Sequence, residues 1–321
     1  MTYSTGGLIE ATDYNGFVST SAANVNAVWG TGSTDFGWGE TALATVSAGS
    51  TVTATQWATL VNTLSSMGSQ TGTTITSRTA PTTGDIISVL SAVGTDVTNI
   101  TANRGNASAA GSQYTSWSGT SGKTGDTTGS GSTIVFTHTV TFPSANAARY
   151  FWNAGGRVLI QFGKSSTGNQ GDPDWNSLAQ TLCGSISVTG RVNSQTANIA
   201  GTLYTGTTKT GGTGTPITLT TTTGWYQLTT SNTLIYKQFS ASAPYTSNYI
   251  QVQAKTGNTG TTLDLTTTWY NAEGDTFSGG TAPTGATFGT APATLVTYYP
   301  PSSTYLTSAA WGTPTVAATT T

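Results

Sequence analysis

The chain has 321 residues, of which 7% are charged, and its formal net charge is −2. This low density of positive charge argues against phosphate-driven binding to nucleic acid. No apolar run reaches the roughly 18–20 residues that a membrane-spanning helix needs, which argues against membrane insertion. Aromatic residues make up 10% of the chain, so we expect a folded protein with a modest core rather than a disordered one.

Residues 1–106 are predicted to form a small mixed α/β domain that contains two helices. In the first, at 53–68, Thr53 is the predicted N-cap, Gln56 completes a capping box and Gly68 is the predicted C-cap. Its apolar positions follow helical spacing: Trp57, Leu60, Val61 and Leu64. The second helix is predicted over 83–103 from the same kind of spacing: Ile86, Val89, Leu90 and Val93.

Two segments have the composition of connections rather than of regular structure. Residues 107–132 are rich in Ser, Gly and Thr, which is typical of a flexible linker. Residues 300–321 are rich in Pro and Thr and are predicted to form an extended C-terminal arm. Trp311 within this arm needs apolar surroundings, so we expect the arm to pack on something, with a neighbouring subunit as one option.

Residues 133–299 alternate between apolar and polar side chains, as strands with one buried face do. Short strands separated by turn residues predict an antiparallel β-sandwich of the jelly-roll or Ig-like type. The fold class is therefore mainly β, with a small α-containing N-terminal domain. Beyond the alternating segments near residues 134–142 and 157–163, strands are predicted at 185–192, 215–220, 226–230, 233–240, 249–255, 261–270 and 294–299.

Residues suited to catalysis are scarce. His138, the one histidine, alternates with apolar residues and is interpreted as a structural residue on a strand face. Cys183, the one cysteine, excludes an intrachain disulfide and is interpreted as a small buried side chain. We predict no catalytic, cofactor-binding or metal site, and hence no enzyme and no cofactor. Two carboxylate pairs are interpreted as turns, with a structural Ca²⁺ ion as the weaker alternative: Asp172 with Asp174, and Glu273 with Asp275.

Aromatic residues on polar strands are the remaining candidates for binding. Adjacent aromatics occur at 225–226, 269–270 and 298–299, and neighbours along a strand point to opposite faces. One member of each pair is therefore expected in the core and the other at solvent or at a subunit contact. The predicted glycan or subunit contacts are Trp225, Trp269, Tyr298 and Trp311.

Two blocks within residues 10–190 resemble virion structural or tail-fibre-like proteins of marine, cyanophage-type tailed bacteriophages. The first block holds Asp13-Tyr14-Asn15, Val25-Asn26-Ala27-Val28-Trp29-Gly30-Thr31-Gly32, Phe36-Gly37-Trp38-Gly39, Val46, Gln56-Trp57-Ala58-Thr59-Leu60 and Pro81-Thr82-Thr83-Gly84-Asp85. The second is Ala147-Ala148-Arg149-Tyr150-Phe151-Trp152-Asn153-Ala154-Gly155-Gly156-Arg157. The resemblance implies no enzymatic residues, and the last 130 residues, roughly, share only a generic Thr- and Gly-rich character.

This resemblance implies a non-enzymatic fibre or appendage subunit of the tail, neck or particle surface, with residues 1–106 as its anchor. Its partners would be copies of itself, by analogy a trimer, and other virion proteins. The alternative is a receptor- or glycan-binding module at a fibre tip that recognises host surface polysaccharide. Residues 1–10 lack the basic and apolar regions of a secretory signal, so we expect assembly in the host cytoplasm and a final location in the virion. A hydrolase of surface polymers and a bacterial surface protein are weaker options.

Overall fold

A computed structural model describes residues 10–19, 24–85, 92–114, 132–164, 172–243, 245–272 and 292–321. The protein is mainly β, with antiparallel sheets and few helices: 29% of residues are in strands and 25% in helices. This agrees with the prediction of a mainly β protein that contains a few helices.

Helices are concentrated in the first third of the chain. They are α1 Ala11–Val18, α2 Val25–Trp29, α3 Ala54–Thr71 and α4 Val93–Ala102, followed later by α5 Ala145–Asn153 and α6 Asp172–Asn176. A π-helical turn, Ser177–Leu182, continues α6, and two 3-10 turns occur at Val192–Ser194 and Trp225–Gln227.

Helix α3 begins as the sequence predicts, because the Thr53 hydroxyl accepts from the Gln56 amide and the Gln56 side chain accepts from the Thr53 amide. It runs one turn past the predicted end. Gly72, with φ of 67°, takes the left-handed conformation that ends the helix, whereas Gly68 stays helical. The second predicted helix is found as α4 in its C-terminal half, and residues 86–91 lie outside the described residues.

Twelve strands occur in the described ranges. In chain order they are β1 Ser132–Thr141, β2 Arg157–Gly163, β3 Ser185–Thr189, β4 Ala197–Ile199, β5 Thr202–Tyr204, β6 Thr207–Thr210, β7 Thr218–Leu219, β8 Thr233–Phe239, β9 Tyr249–Thr256, β10 Thr262–Asn271, β11 Ala293–Tyr299 and β12 Thr315–Thr320.

The strands pair into two antiparallel sheets and a small hairpin. The six-stranded sheet has the order β12-β1-β10-β9-β8-β7, the four-stranded sheet has the order β11-β2-β3-β6, and β4 pairs with β5. The sheets contact each other through buried side chains: Phe162 on β2 stacks on Tyr236 of β8 at 6.0 Å between ring centroids. The indole Nε1 of Trp269 on β10 donates to the Thr294 hydroxyl of β11 at 3.2 Å.

One hydrophobic core runs through both the N-terminal region and the sheets. Trp57 of α3 and Trp269 of β10 belong to the same cluster of buried side chains. The N-terminal residues 1–106 and the β region, predicted as separate domains, therefore share a core in the described residues. Of the predicted linker 107–132, Tyr114 pairs with Tyr298, while residues 115–131 lie outside the described residues.

The C-terminal segment, predicted as an extended arm that packs on something, packs on its own chain and ends in a strand. Residues 315–320 form strand β12, which pairs along β1 from Thr315 opposite Thr141 to Thr320 opposite Phe136. Trp311 is 4% exposed within the core of the same chain. Alternating Thr and apolar residues suit a half-buried strand, and β1 supplies a free edge for them to pair with.

Two further strand predictions need correction. The predicted strand at 226–230 is replaced by the 3-10 turn Trp225–Gln227, and the one at 215–220 shrinks to the two residues of β7. Gly224 meets the backbone of Thr189 so closely that a Cβ there would lie 2.6 Å from its carbonyl oxygen. This close approach of two chain segments places the turn and interrupts the strand.

Candidate functional site

The four predicted contact residues all lie in the interior. Their exposed fractions are 7% for Trp225, 0% for Trp269, 2% for Tyr298 and 4% for Trp311. A sugar stacks on an aromatic face that solvent can reach, so in this conformation none of the four can serve as a glycan contact.

Specific contacts hold these side chains in place. Trp225 stacks on Trp152 with ring centroids 5.3 Å apart. The Tyr298 hydroxyl donates to the Pro314 carbonyl at 2.9 Å. Burial raises the pKa of Tyr298, since the ionised phenol would lose its hydration. These residues are components of the core.

The outward members of the aromatic pairs are Tyr226, Tyr270 and Tyr299, each partly exposed. At 269–270 and 298–299, which lie on strands, this division follows the expected alternation, whereas Trp225 and Tyr226 lie in a 3-10 turn. Tyr270 belongs to a candidate surface site, because it lies on the outer face of the six-stranded sheet, away from the four-stranded sheet.

Tyr270 is part of an aromatic row that crosses three strands: Phe239 of β8, Tyr249 of β9 and Tyr270 of β10, aligned by the register of the sheet. The Tyr249 and Tyr270 rings stack at 4.8 Å between centroids, and Phe239 meets Tyr249 edge-on at 5.5 Å. All three side chains are partly exposed. The row therefore offers an aromatic surface to solvent.

Lys237 adds a cation to the aromatic row. Its Nζ lies 3.6 Å from the centroid of Tyr249 and 4.9 Å from that of Phe239, within range of cation–π attraction. Partial burial lowers the pKa of Lys237. Burial, followed by the neighbouring Tyr270, raises the pKa of Tyr249, so the phenol stays neutral near neutral pH.

The rest of the outer face is rich in threonine and poor in charge. Outward positions of β1, β10 and β12 form aligned rows of hydroxyls across the sheet: Thr137, Thr139, Thr141, Thr262, Thr266, Thr268, Thr315 and Thr319. Asp264 stands opposite Lys255 in register and accepts from the Thr139 hydroxyl at 2.9 Å. The face is thus polar and carries few charges, which are Lys237, Lys255 and Asp264.

His138 and Cys183 take the structural roles that the sequence predicts. His138 is fully buried, and burial lowers its pKa to about 4. A hydrogen bond with the Thr294 backbone favours the charged form and opposes this shift. Burial raises the pKa of the Cys183 thiol to about 12. A neutral buried imidazole and a protonated buried thiol are poorly placed for proton transfer or nucleophilic attack.

Of the four carboxylates in the two predicted pairs, Asp174 is the one whose side chain the structure describes. Asp174 is buried, accepts from the Ser240 hydroxyl, and has its pKa raised to about 6 by burial. The side chain of Asp172, together with Glu273 and Asp275, lies outside the described residues. Within the described ranges, no three His, Cys, Asp or Glu side chains lie close enough to hold a metal ion.

The Asn153-Ala154-Gly155-Gly156 segment is a junction between the N-terminal region and the sheets. The Asn153 side chain donates to the Gly37 carbonyl at 3.0 Å, and its backbone carbonyl accepts from Trp38 Nε1 at 3.1 Å. The Ala154 carbonyl accepts from Gln70 at 3.1 Å. Gly155 has φ of 97°, and a Cβ there would lie 2.6 Å from the Cβ of Ala107. These contacts give the segment a structural role.

A surface groove of about 400 Å³ lies beside Trp29 in the N-terminal region. Among the described residues that line it, Glu40 is the one carboxylate, and it accepts from the Ser308 amide at 3.0 Å and hydroxyl at 2.9 Å. These hydrogen bonds to Glu40 therefore hold the C-terminal segment against the N-terminal region. The groove offers hydroxyls, methyls and part of an indole.

Comparisons of the chain with protein-family models, with curated proteins and with solved structures find no match. None of the described helices is both long enough and apolar enough to span a membrane.

Sequence reasoning missed the aromatic row because it considered only aromatics adjacent in the chain. The three members come from different strands, and the register of the sheet brings them together. One signal was available: Phe239, Tyr249 and Tyr270 lie at or next to the end of a predicted strand, and alternation within each strand assigns them to the polar face.

Proposed function

We propose that this protein is a non-enzymatic virion structural protein, a fibre or appendage subunit of a tailed bacteriophage. The observation that carries the proposal is the outer face of the six-stranded sheet, with its rows of threonine hydroxyls and few charges. Subunits that pack side by side must remove water from the surfaces they bury, and an unpaired charge makes that removal costly. A threonine face avoids this cost and offers hydroxyls for hydrogen bonds.

The proposed architecture is a β-sandwich of the jelly-roll or Ig-like type, made of the six-stranded and four-stranded sheets. The N-terminal region would anchor it to the particle, and the outer face would pack against copies of this chain or other virion proteins. The resemblance in residues 10–190 to phage virion proteins supports this proposal, and by analogy a trimer is the expected assembly. The site of action is the virion, assembled in the host cytoplasm.

Immunogold electron microscopy of purified particles tests the proposal directly, with an antibody raised against residues 133–321. Gold at the fibres, neck or tail supports it and locates the protein. Clean particles without gold, with the protein remaining soluble in the lysate, would overturn it. A matched label against a known structural protein of the same particles establishes that the antibodies have access.

The aromatic row favours a second candidate function, recognition of a host surface polysaccharide. Phe239, Tyr249 and Tyr270 present aromatic surface to solvent, where the C–H groups of a sugar ring can pack. Gln251, opposite Thr268 in register, provides a polar side chain on the same face. We expect glycan-array binding to be lost in the double variant Tyr249→Ala with Tyr270→Ala.

Thr141→Ala is the matched control, because it removes a surface hydroxyl at the far end of the same face. Binding that survives the double variant would exclude the row as the site. No binding of the unchanged protein to arrays or host envelope fractions would exclude this function.

A further inference from the structure

The four edges of the two sheets are protected to very different degrees. An exposed strand edge carries unpaired N–H and C=O groups, and proteins commonly blunt it by covering it, shortening it or placing lysine on it. Three edges follow this pattern. Tyr114 covers β11 by donating its amide to the Tyr298 carbonyl at 2.9 Å, β7 has only two residues, and β6 carries Lys209.

Strand β12 is the exception among the described residues. It is six residues long and contains neither charge nor proline, and within the part of the chain that the structure describes it pairs only on the side that faces β1. No acidic, basic or histidine residue occurs anywhere from 293 to 321. The usual features that keep one copy of a chain from adding to the sheet of another are therefore missing at this edge.

The hydrogen-bond pattern identifies which residues of β12 face outward. Val135 and Thr321 exchange both of their backbone hydrogen bonds, each at 2.9 Å. In an antiparallel pair such residues alternate with residues whose N–H and C=O groups point away from the partner strand. By the register with β1, Ala317 and Thr319 point inward to β1. The residues with outward backbone groups are Val316, Ala318 and Thr320.

We propose that β12 is a self-association edge, at which two copies of this chain pair antiparallel about a two-fold axis through Ala318. The register would place Val316 opposite Thr320 of the second copy and form about six backbone hydrogen bonds. On the solvent face, Ala317 would stand opposite Thr319 of the second copy. All of these side chains are small, so the strands meet without a clash, and the two six-stranded sheets become one.

In the proposed function this contact is one assembly step between subunits, and its biological role rests on that proposal. The pairing surface is narrow, so the dimer is expected to depend on concentration. Sedimentation equilibrium of the full chain over a concentration series should show a reversible shift from 32.7 kDa towards twice that mass.

Two proline variants test the edge. Ala318→Pro removes an outward N–H that β1 does not use, and should weaken dimerisation about tenfold or more while leaving the melting temperature nearly unchanged. Ala317→Pro removes an N–H that bonds to β1, so it should lower the melting temperature instead. A dimer that persists unchanged in Ala318→Pro would overturn the proposal.

A pair of charge variants tests the register without proline. Ala317→Lys with Thr319→Lys puts like charges opposite each other across the axis and should abolish the dimer at low salt. Ala317→Lys with Thr319→Glu puts opposite charges there and should retain it. Equal loss in both variants would contradict this register.

The remaining outcomes separate this inference from the proposed function. A wild-type chain that stays monomeric at every concentration overturns the edge pairing. The trimer expected for the assembled particle would need a second contact elsewhere on the chain, so a trimer whose stability is unchanged in Ala318→Pro also overturns the edge pairing. Neither result affects immunogold labelling of particles. Conversely, unlabelled particles with an intact β12 dimer would overturn the virion role and leave the pairing in place.

Discussion

The hydroxyl of Tyr226 donates a 2.6 Å hydrogen bond to the side-chain oxygen of Asn153. The nitrogen of the same amide donates to the Gly37 carbonyl at 3.0 Å. One buried amide therefore connects the N-terminal region to the 3-10 turn that precedes β8. Burial raises the pKa of Tyr226, so its hydroxyl keeps the proton it donates.

Replacing Asn153 should destabilise the fold as a whole. Asn153→Ala leaves both the Gly37 carbonyl and the Tyr226 hydroxyl without this partner, and a buried polar group left unpaired costs about 1–3 kcal/mol. We expect a loss of about 2–4 kcal/mol in the free energy of unfolding by urea denaturation. Tyr226→Phe removes one of the two bonds and should cost about 1 kcal/mol. Equal, small effects of both variants would refute the bridging role.

Two glycine-to-alanine substitutions should change the stability of the fold in opposite directions. Gly155→Ala forces a side chain into left-handed backbone and against Ala107, and should destabilise by at least about 1–2 kcal/mol. Gly94 lies within α4, where a Cβ has no heavy atom within 4 Å. Gly94→Ala should therefore stabilise by about 0.5–1 kcal/mol. Thermal and urea denaturation measure both, and a stabilising Gly155→Ala would contradict the packing described.

Two buried groups should make stability depend on pH in opposite directions. His138 has a folded pKa of about 4, below its ordinary 6.5, so the unfolded chain binds the proton more readily. Its contribution to stability is therefore lost as the pH falls from about 6.5 to about 4. Asp174 has a folded pKa of about 6, above its ordinary 3.8, so its contribution is lost as the pH rises through that window.

Single variants separate these two contributions. Each group changes the free energy of unfolding by at most about 1.4 kcal/mol per pH unit. Relative to wild type, His138→Gln should gain stability and Asp174→Asn should lose it as the pH falls from 6 to 4. Urea denaturation midpoints measured from pH 6 to pH 4 provide the test. The readout is the slope of the midpoint against pH, because either substitution can also shift stability by the same amount at every pH. Parallel slopes in all three proteins would show that neither group titrates as described.

The thiol of Cys183 should be inert in the folded protein. Its side chain is fully buried and its pKa is raised to about 12, so the reactive thiolate is scarce at neutral pH. Labelling with a thiol-specific disulfide reagent should be slow in buffer and stoichiometric in guanidinium chloride. Rapid labelling of the folded protein would place this residue at the surface.

The sequence by itself determined some of the local elements of this protein. The Thr53 and Gln56 capping box predicts the start of α3 because both residues belong to one turn. Alternation predicts a strand with one buried face near residues 157–163, and β2 shows that pattern. It also assigns Trp269 to one face and Tyr270 to the other, although it does not tell which face is the core. These features depend on residues close together in the chain, and they are therefore readable from the sequence.

Only the tertiary structure decided what depends on strand pairing and on contacts between distant segments. The register of β8, β9 and β10 assembles the aromatic row, and the pairing of β12 with β1 turns a predicted arm into a sheet edge. The approach of Gly224 to Thr189 replaces a predicted strand with a turn. Periodicity states which residues share a face but not which strand lies beside them, because partner choice depends on the packing of the whole core.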